Sequence, residues 1–327
     1  MKWRGRFGAA VLAIACAGLL GACGGGSEEE SGGGDSGKPV EVKVGVIPIA
    51  DVAPLYVGMR QGFFKEENLE ITPTLAEGGA QIVAGTVSGG FDIGFSNVTS
   101  LLIAGSKDVP VQILASGTNG GEAPDAKSAF DALMVKDKSI KSLKDLEGKT
   151  VSVNTLQNVG PLSINRAMEK EGADYNKVKY VEVPFPEAIA ALNSGRVDAA
   201  WVVEPFVSQG KSEGDKPIAF PFEEVAPNFQ VAAYFAARPY IEKNSDVIER
   251  FTRAIEKSLD YSQSHPEAVR KEVLEYTEIP APAAKAMVLP QWSSEINLPT
   301  VETTSALAKK YGFLKEEPNL EELIKQD

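Results

Sequence analysis

The sequence predicts an α/β protein of two similar lobes joined by a two-strand hinge, and three observations carry that reading. From Val40 onward, strand and helix signals alternate, the rhythm of a mostly parallel sheet covered by helices. Two segments recur in the same order. Lys43-Val44-Gly45-Val46 returns as Thr150-Val151-Ser152-Val153 at an offset of 107. Ser88-Gly89-Gly90-Phe91-Asp92-Ile93-Gly94 returns as Ser194-Gly195-Arg196-Val197-Asp198-Ala199-Ala200 at an offset of 106. Finally, two alternating apolar stretches, residues 130–135 and 230–237, stand where the chain must pass between lobes, and they are placed as the crossing strands.

The elements follow in order. Lys2, Arg4 and Arg6 precede a run, residues 7–22, that is apolar or small throughout; it is too short and too glycine-rich for a membrane span and reads as an export leader. It ends Leu20-Gly21-Ala22-Cys23, which resembles the lipobox of bacterial lipoproteins. That resemblance implies a diacylated Cys23 as mature N-terminus and a membrane anchor. Cys16, the only other cysteine, leaves with the leader, so neither a disulfide nor a thiolate metal site is expected. Residues 23–39 are Gly, Ser and Glu-rich and cannot bury a core, so they read as a flexible tether.

In the body, residues 42–47 read as a strand, 54–62 as a helix or turn, 69–71 as a short strand, 81–88 as a helix and 91–95 as a strand. Glycine at each helix end (Gly89, Gly195) supplies the left-handed cap of a tight helix-to-strand turn, and the Asp three residues on (Asp92, Asp198) is expected to satisfy backbone donors at the sheet end. After the second repeat, residues 246–264, 281–289 and 301–311 have helical spacing and are expected to return onto the first lobe. The boundaries that result are 40–130 and 235–327 for lobe 1 and 131–234 for lobe 2.

Charge and motifs exclude several classes. The chain carries −12, and loss of Lys2, Arg4 and Arg6 with the leader takes it to −15, which disfavours nucleic acid and a polybasic membrane patch. The sole histidine, His265, precedes Pro266 and reads as a solvated helix end. There is no G-x-S-x-G, no phosphate-binding loop motif and no His/Cys cluster for zinc. Neither a catalytic constellation nor a cofactor is expected.

In open α/β sheets, ligands bind beyond the carboxyl ends of strands and at helix N-termini. That rule selects Ile49 and Asp51 after the first strand, Gly78 and Gly79 before a helix, Ser96 and Asn97 after the Asp92 strand, Asn154, Thr155, Asn158 and Gly160 in the second half, and Trp201 and Glu204 after the Asp198 strand. Each has a second reading. Gly78 and Gly79 are turn residues or points of close backbone approach. Ser96, Asn97, Asn154 and Thr155 cap helices or touch a ligand. Trp201 belongs to core or pocket, and Glu204, before Pro205, is a structural carboxylate or the acidic group of the pocket. No Arg or Lys falls in these loops. A solute with an amine at Glu204 and any anionic end at a helix N-terminus is therefore favoured over a plain anion.

These residues resemble a known family. Leu143-Lys144-Asp145-Leu146-Glu147-Gly148-Lys149-Thr150-Val151 is similar to the segment that opens lobe 2 of type II periplasmic binding proteins. Glu77-Gly78-Gly79, Phe91-Asp92-Ile93-Gly94, Gly195-Arg196-Val197-Asp198-Ala199-Ala200 and Val203-Glu204-Pro205 resemble the NMT1/THI5-like, sulfonate–nitrate–taurine-binding branch. So does Gly62-Phe63-Phe64-Lys65-Glu66-Glu67-Asn68-Leu69, with Asn68 where that branch often has glycine; Asn also tolerates the left-handed conformation. The resemblance implies a type II periplasmic-binding-protein fold and a monomer that closes on a sulfonate, taurine, nitrate or thiamin-pyrimidine-like solute and docks to an ABC permease. Two other classes remain: a pyrimidine-precursor synthase on the same fold, whose relatives sacrifice an active-site histidine, and an extracellular sensor domain.

Overall fold

The structure is a computed structural model and describes residues 37–125 and 127–324. The leader, Cys23 and all but the last three residues of the tether lie outside the described residues. No helix among the described residues is long and apolar enough to cross a membrane.

Ten strands form two five-stranded sheets. The first holds β1 (Val40–Val46), β2 (Leu69–Leu75), β3 (Ile93–Asn97), β4 (Val111–Asn119) and β10 (Gln230–Ala237), in the order β2-β1-β3-β10-β4. The second holds β5 (Asp131–Val135), β6 (Thr150–Val153), β7 (Lys179–Glu182), β8 (Ala199–Val203) and β9 (Lys216–Ala219), in the order β7-β6-β8-β5-β9. In each sheet three strands run parallel and the fourth, β10 or β5, runs antiparallel to both neighbours.

The internal repeats are visible in the pairing register. Val44 and Gly45 face Ile93 and Gly94; Val151 and Ser152 face Ala199 and Ala200. Asp92 Oδ2 accepts the Lys43 N–H at 2.8 Å, and Asp198 Oδ2 accepts the Thr150 N–H at 2.8 Å. The two aspartates thus tie the start of each lobe's third strand to its first. Gly89 and Gly195 take positive φ (79° and 73°), as the tight turns before these strands require, and Asn68 does so at 53°.

Helices α1 (Ala53–Gln61), α2 (Phe63–Glu66), α3 (Gly79–Val87) and α4 (Val98–Gly105) belong to the first lobe. Helices α5 (Val159–Lys170), α6 (Phe185–Asn193), α7 (Phe206–Glu213) and α8 (Pro221–Val225) belong to the second. The C-terminal part adds α9 (Arg238–Lys243), α10 (Ser245–Ser264), α11 (Pro266–Tyr276), α12 (Ala281–Ala286), α13 (Leu298–Lys310) and α14 (Leu320–Leu323). Val247, Phe251, Ile255 and Leu259 form the buried stripe of α10, which lies against α1 and α2. Each such side chain taken from water contributes about 1.5–3 kcal/mol. Arg253–Glu67 (2.7 Å) and Lys257–Glu66 (2.5 Å) border that contact.

Two expectations are corrected. Residues 130–135 and Gln230–Ala237 do not span the lobes; each lies in the strand laid down just after a crossing. Since β10 pairs along its length with β3 and β4, residues 230–234 belong to the first lobe, and the boundary drawn at 235 moves back to about Gln230. The crossings themselves prolong the β4–β10 pairing: Gly120 N–H donates to Phe229 O at 2.8 Å, and Asn228 N–H to Gly121 O at 3.0 Å. The C-terminal helices also do not rest on lobe 1 alone, because α12 touches α7 and α13 touches α5.

Candidate functional site

The parallel strands of both sheets end at one small cavity between the lobes, of about 30 Å³. From the first lobe, Ile49 and Asp51 reach it after β1, Phe95 and Asn97 from the end of β3, and Ala232 from β10. From the second come Asn154 after β6, Asn158 at the start of α5, Phe185 after β7, Trp201 on β8 and Phe222 on α8. Six of the twelve sequence candidates therefore meet here: Ile49, Asp51, Asn97, Asn154, Asn158 and Trp201.

Both caps have a double role. Asn97 Oδ1 accepts the Ser100 N–H at 2.9 Å and caps α4; Asn158 accepts the Val159 N–H and caps α5. Asn158 Nδ2 lies 3.4 Å from Asn154 Oδ1. Asn97 and Asn154 each use their amide oxygen as an acceptor in these contacts. Trp201 is packed as core and faces the cavity too: its Nε1 donates to Asp131 Oδ2 at 2.9 Å, and its ring lies 5.5 Å from those of Phe185 and Phe222.

Asp51 is the cavity's acid. It sits on a one-turn 3₁₀ segment, Ala50–Val52, that leaves β1. It is 2% exposed, its Oδ2 has no partner among the described residues, and burial pushes its carboxyl up to about 7. Its backbone O is held by Trp292 Nε1 (3.2 Å) and Thr118 Oγ1 (3.4 Å). No Lys or Arg among the described residues lines the cavity.

Five candidates stand around the cavity instead. A Cβ on Gly78 would lie 2.5 Å from Thr155 Oγ1, so these two are the close approach between lobes. A Cβ on Gly79 would meet Ser96 Oγ at 2.3 Å, so α3 seats directly on the end of β3, with Ser96 buried beneath it. Gly160 lies under the Trp201 ring, 2.6 Å from a hypothetical Cβ.

Glu204 is a correction. It does not line the cavity, and its carboxylate is taken up inside the protein: Ser208 N–H (2.9 Å) on Oε2, Ser208 Oγ (2.8 Å) and Val288 N–H (3.1 Å) on Oε1. With these oxygens already bonded, it does not face a solute amine in the cavity. Burial raises its pKa, against the pull of those hydrogen bonds. Phe95, Phe185 and Phe222 were not singled out from sequence. Phe185 could have been, since it follows a strand and opens a helix as the chosen loops do.

Asp131 and Glu223 form a second buried acidic pair behind Trp201. Burial foremost, then the Glu223 charge, raises Asp131 well above the usual range; burial raises Glu223 to about 7. Glu223 Oε1 accepts Gly121 N–H at 2.8 Å, tying α8 to the hinge. His265 is exposed, stacked on Tyr261 at 3.7 Å, and does not line the cavity.

Comparison with known proteins adds the following. Residues 49–269 match the family described as NMT1/THI5 like. The chain is 27% identical over 236 residues to the formylaminopyrimidine-binding protein of Halalkalibacterium halodurans, covering 70% of this chain and 68% of that protein. It is 24% identical over 241 residues to the 4-amino-5-hydroxymethyl-2-methylpyrimidine phosphate synthase of Aspergillus parasiticus, covering 69% and 67%. Two further binding proteins are matched over 63% and 57% of their length. The fold is that of the periplasmic aliphatic sulphonate binding protein SsuA of Escherichia coli, with TM-score 0.68 and 18% identity over 88% of this chain and 92% of that one.

Proposed function

The chain belongs to the NMT1/THI5-like family, and on that premise we propose that it is the solute-binding component of an ABC importer. It captures a small organic solute between its lobes and delivers it to the permease. The observation that carries this reading is the cavity: both lobes contribute polar and aromatic side chains to one enclosed space at their strand ends. The likeness to binding proteins supports it. We read the chain as extracytoplasmic, monomeric and tethered through acylated Cys23. The synthase reading is disfavoured because His265 does not line the cavity.

The test is a thermal-shift screen of purified protein with pyrimidines, amines, sulfonates and nitrate, followed by calorimetry. A ligand that binds the folded state alone raises the melting temperature by mass action, by roughly 2.7 kcal/mol of stability at a hundred times Kd. Turnover of a solute to a new product, rather than reversible binding, would replace this reading with an enzymatic one.

A further inference from the structure

The two buried acids behind the cavity wall are joined to the cavity on one side and to the hinge on the other. Asp131, fully buried at the start of β5, accepts on Oδ2 from Trp201 Nε1 at 2.9 Å and from the Phe222 N–H at 3.3 Å. Glu223, next to Phe222 on α8, accepts on Oε1 from the Gly121 N–H at 2.8 Å. Gly121 lies on the first crossing between the lobes, beside the Gly120 whose N–H bonds Phe229 of the second. A line of contacts thus runs from the indole of the cavity wall, through two carboxyl groups, to the hinge. The other oxygen of each acid, Asp131 Oδ1 and Glu223 Oε2, is buried without a partner among the described residues.

Two charged carboxylates in that place are costly. The charged groups around them offer little relief. Glu224 of α8 is bonded to Lys170 of α5 at 2.9 Å, and Asp125 stands beside Lys127 before the crossing. Both acids add to the burial that raises Glu223, and the Glu223 charge in turn raises Asp131. Glu204, just past the Val203 that pairs with Asp131, is taken up by Ser208 and Val288. A proton kept by either acid of the pair removes one charge and supplies an O–H donor where none exists.

We propose that Asp131 and Glu223 share a proton, and that this proton is a pH-sensitive join between the cavity wall and the hinge. While it is held, Trp201 stays bonded to Asp131 and α8 to Gly121. When it leaves, two like charges face each other and the pair parts at Glu223. Asp131 is fixed in a strand between β8 and β9, whereas α8 is a five-residue helix at the entry to the second crossing. Glu223 then turns to water and releases Gly121. Burial raises Glu223 to about 7, and its charge then helps to hold the proton on Asp131. The last proton therefore leaves above neutral pH, and the join is intact at pH 7 and open at pH 9. Neither acid lines the cavity, so the pair acts on it only through Trp201 and the hinge.

Hydrogen exchange of the Gly121 amide, followed by NMR on the purified protein and corrected for the intrinsic rate at each pH, tests this. In the wild type, protection at Gly121 should fall by about tenfold or more between pH 7 and pH 9. The Trp201 indole N–H resonance should shift over the same range. Glu223→Gln accepts from Gly121 and donates to Asp131 at any pH, so both readouts should be flat. Asp131→Asn keeps an acceptor for Trp201 and leaves a single charge, and should be flat as well. Asp51 titrates in all three proteins, so a change that it causes would persist in the variants. Constant protection at Gly121 in the wild type overturns the proposal, as does a fall of the same size in either folded variant.

Discussion

Glu204, at the end of a strand in the second lobe, accepts the backbone N–H of Val288 at 3.1 Å, and its own carbonyl accepts the N–H of Ala50 at 2.9 Å. Val288 follows α12 and Ala50 follows β1, so one residue of the second lobe holds two segments of the opposite side. Lys310 and Tyr311 on Glu169 add a contact of the same kind between α13 and α5. The Glu204 carboxylate thus links segments of both sides and does not line the cavity.

Glu204→Ala should therefore weaken every solute by a similar factor, whatever its charge. It leaves Ser208 and Val288 donors buried without an acceptor, at about 1–3 kcal/mol for each unsatisfied group. Urea unfolding should show that loss in the ligand-free protein, and calorimetry should show parallel drops in affinity. Selective loss of amine-bearing ligands would return Glu204 to the pocket.

Asp51 gives stability a pH dependence of known sign. The folded protein holds its proton at about 7, against the ordinary 3.8. The group favours the fold below that ordinary value and does so less as pH rises through about 7. The side chains whose titration it bears on are Tyr234 of β10 and Tyr276 of α11, which burial keeps neutral. Asp51→Asn should accordingly stabilise the ligand-free protein at pH 8, by up to about 4 kcal/mol at 1.36 per unit, and by less at pH 5. Equal effects at both pH values, read from denaturant midpoints, would contradict a buried, titrating acid.

The lobes were legible because their signals are local: a glycine cap, an aspartate three residues on, and the same spacing repeated. β4 was missed because its apolar start, Val111 to Leu114, passes into Ser116-Gly117-Thr118-Asn119, a turn-like composition that is fully buried in the sheet. α11 was missed although Pro266 at its first turn and buried Val269 and Val273 marked it. Glu204 was beyond local reading, since a donor 84 residues away decides its role. The strand-end rule found both Asp51 and Glu204 and had no means to rank them, because the ranking depends on which carboxylate tertiary contacts had already satisfied.

The lipobox bears on attachment. If Cys23 is acylated, the wild-type protein enters the detergent phase on detergent phase separation, and Cys23→Ser either remains uncleaved or is released into the aqueous phase. Unchanged partitioning of Cys23→Ser would remove the anchor from the account.

The fit of Gly160 under Trp201 gives a test of the cavity wall that does not touch its polar groups. A Cβ at Gly160 would stand 2.6 Å from two atoms of the indole. The ring cannot easily retreat, because Asp131 holds its Nε1 and Phe222 packs edge-on against it. Gly160→Ala must then push the indole toward the cavity or shift α5, at roughly 1–3 kcal/mol of overpacking. Either displacement disturbs the packing of Trp201 on Phe185 at the cavity wall. Solute affinity should fall at least tenfold, while the ion pairs at the α10–α2 contact, remote from this wall, stay intact. Tryptophan emission should shift as the indole moves. Unaltered emission together with unaltered affinity would mean that Trp201 does not form a wall of the solute site.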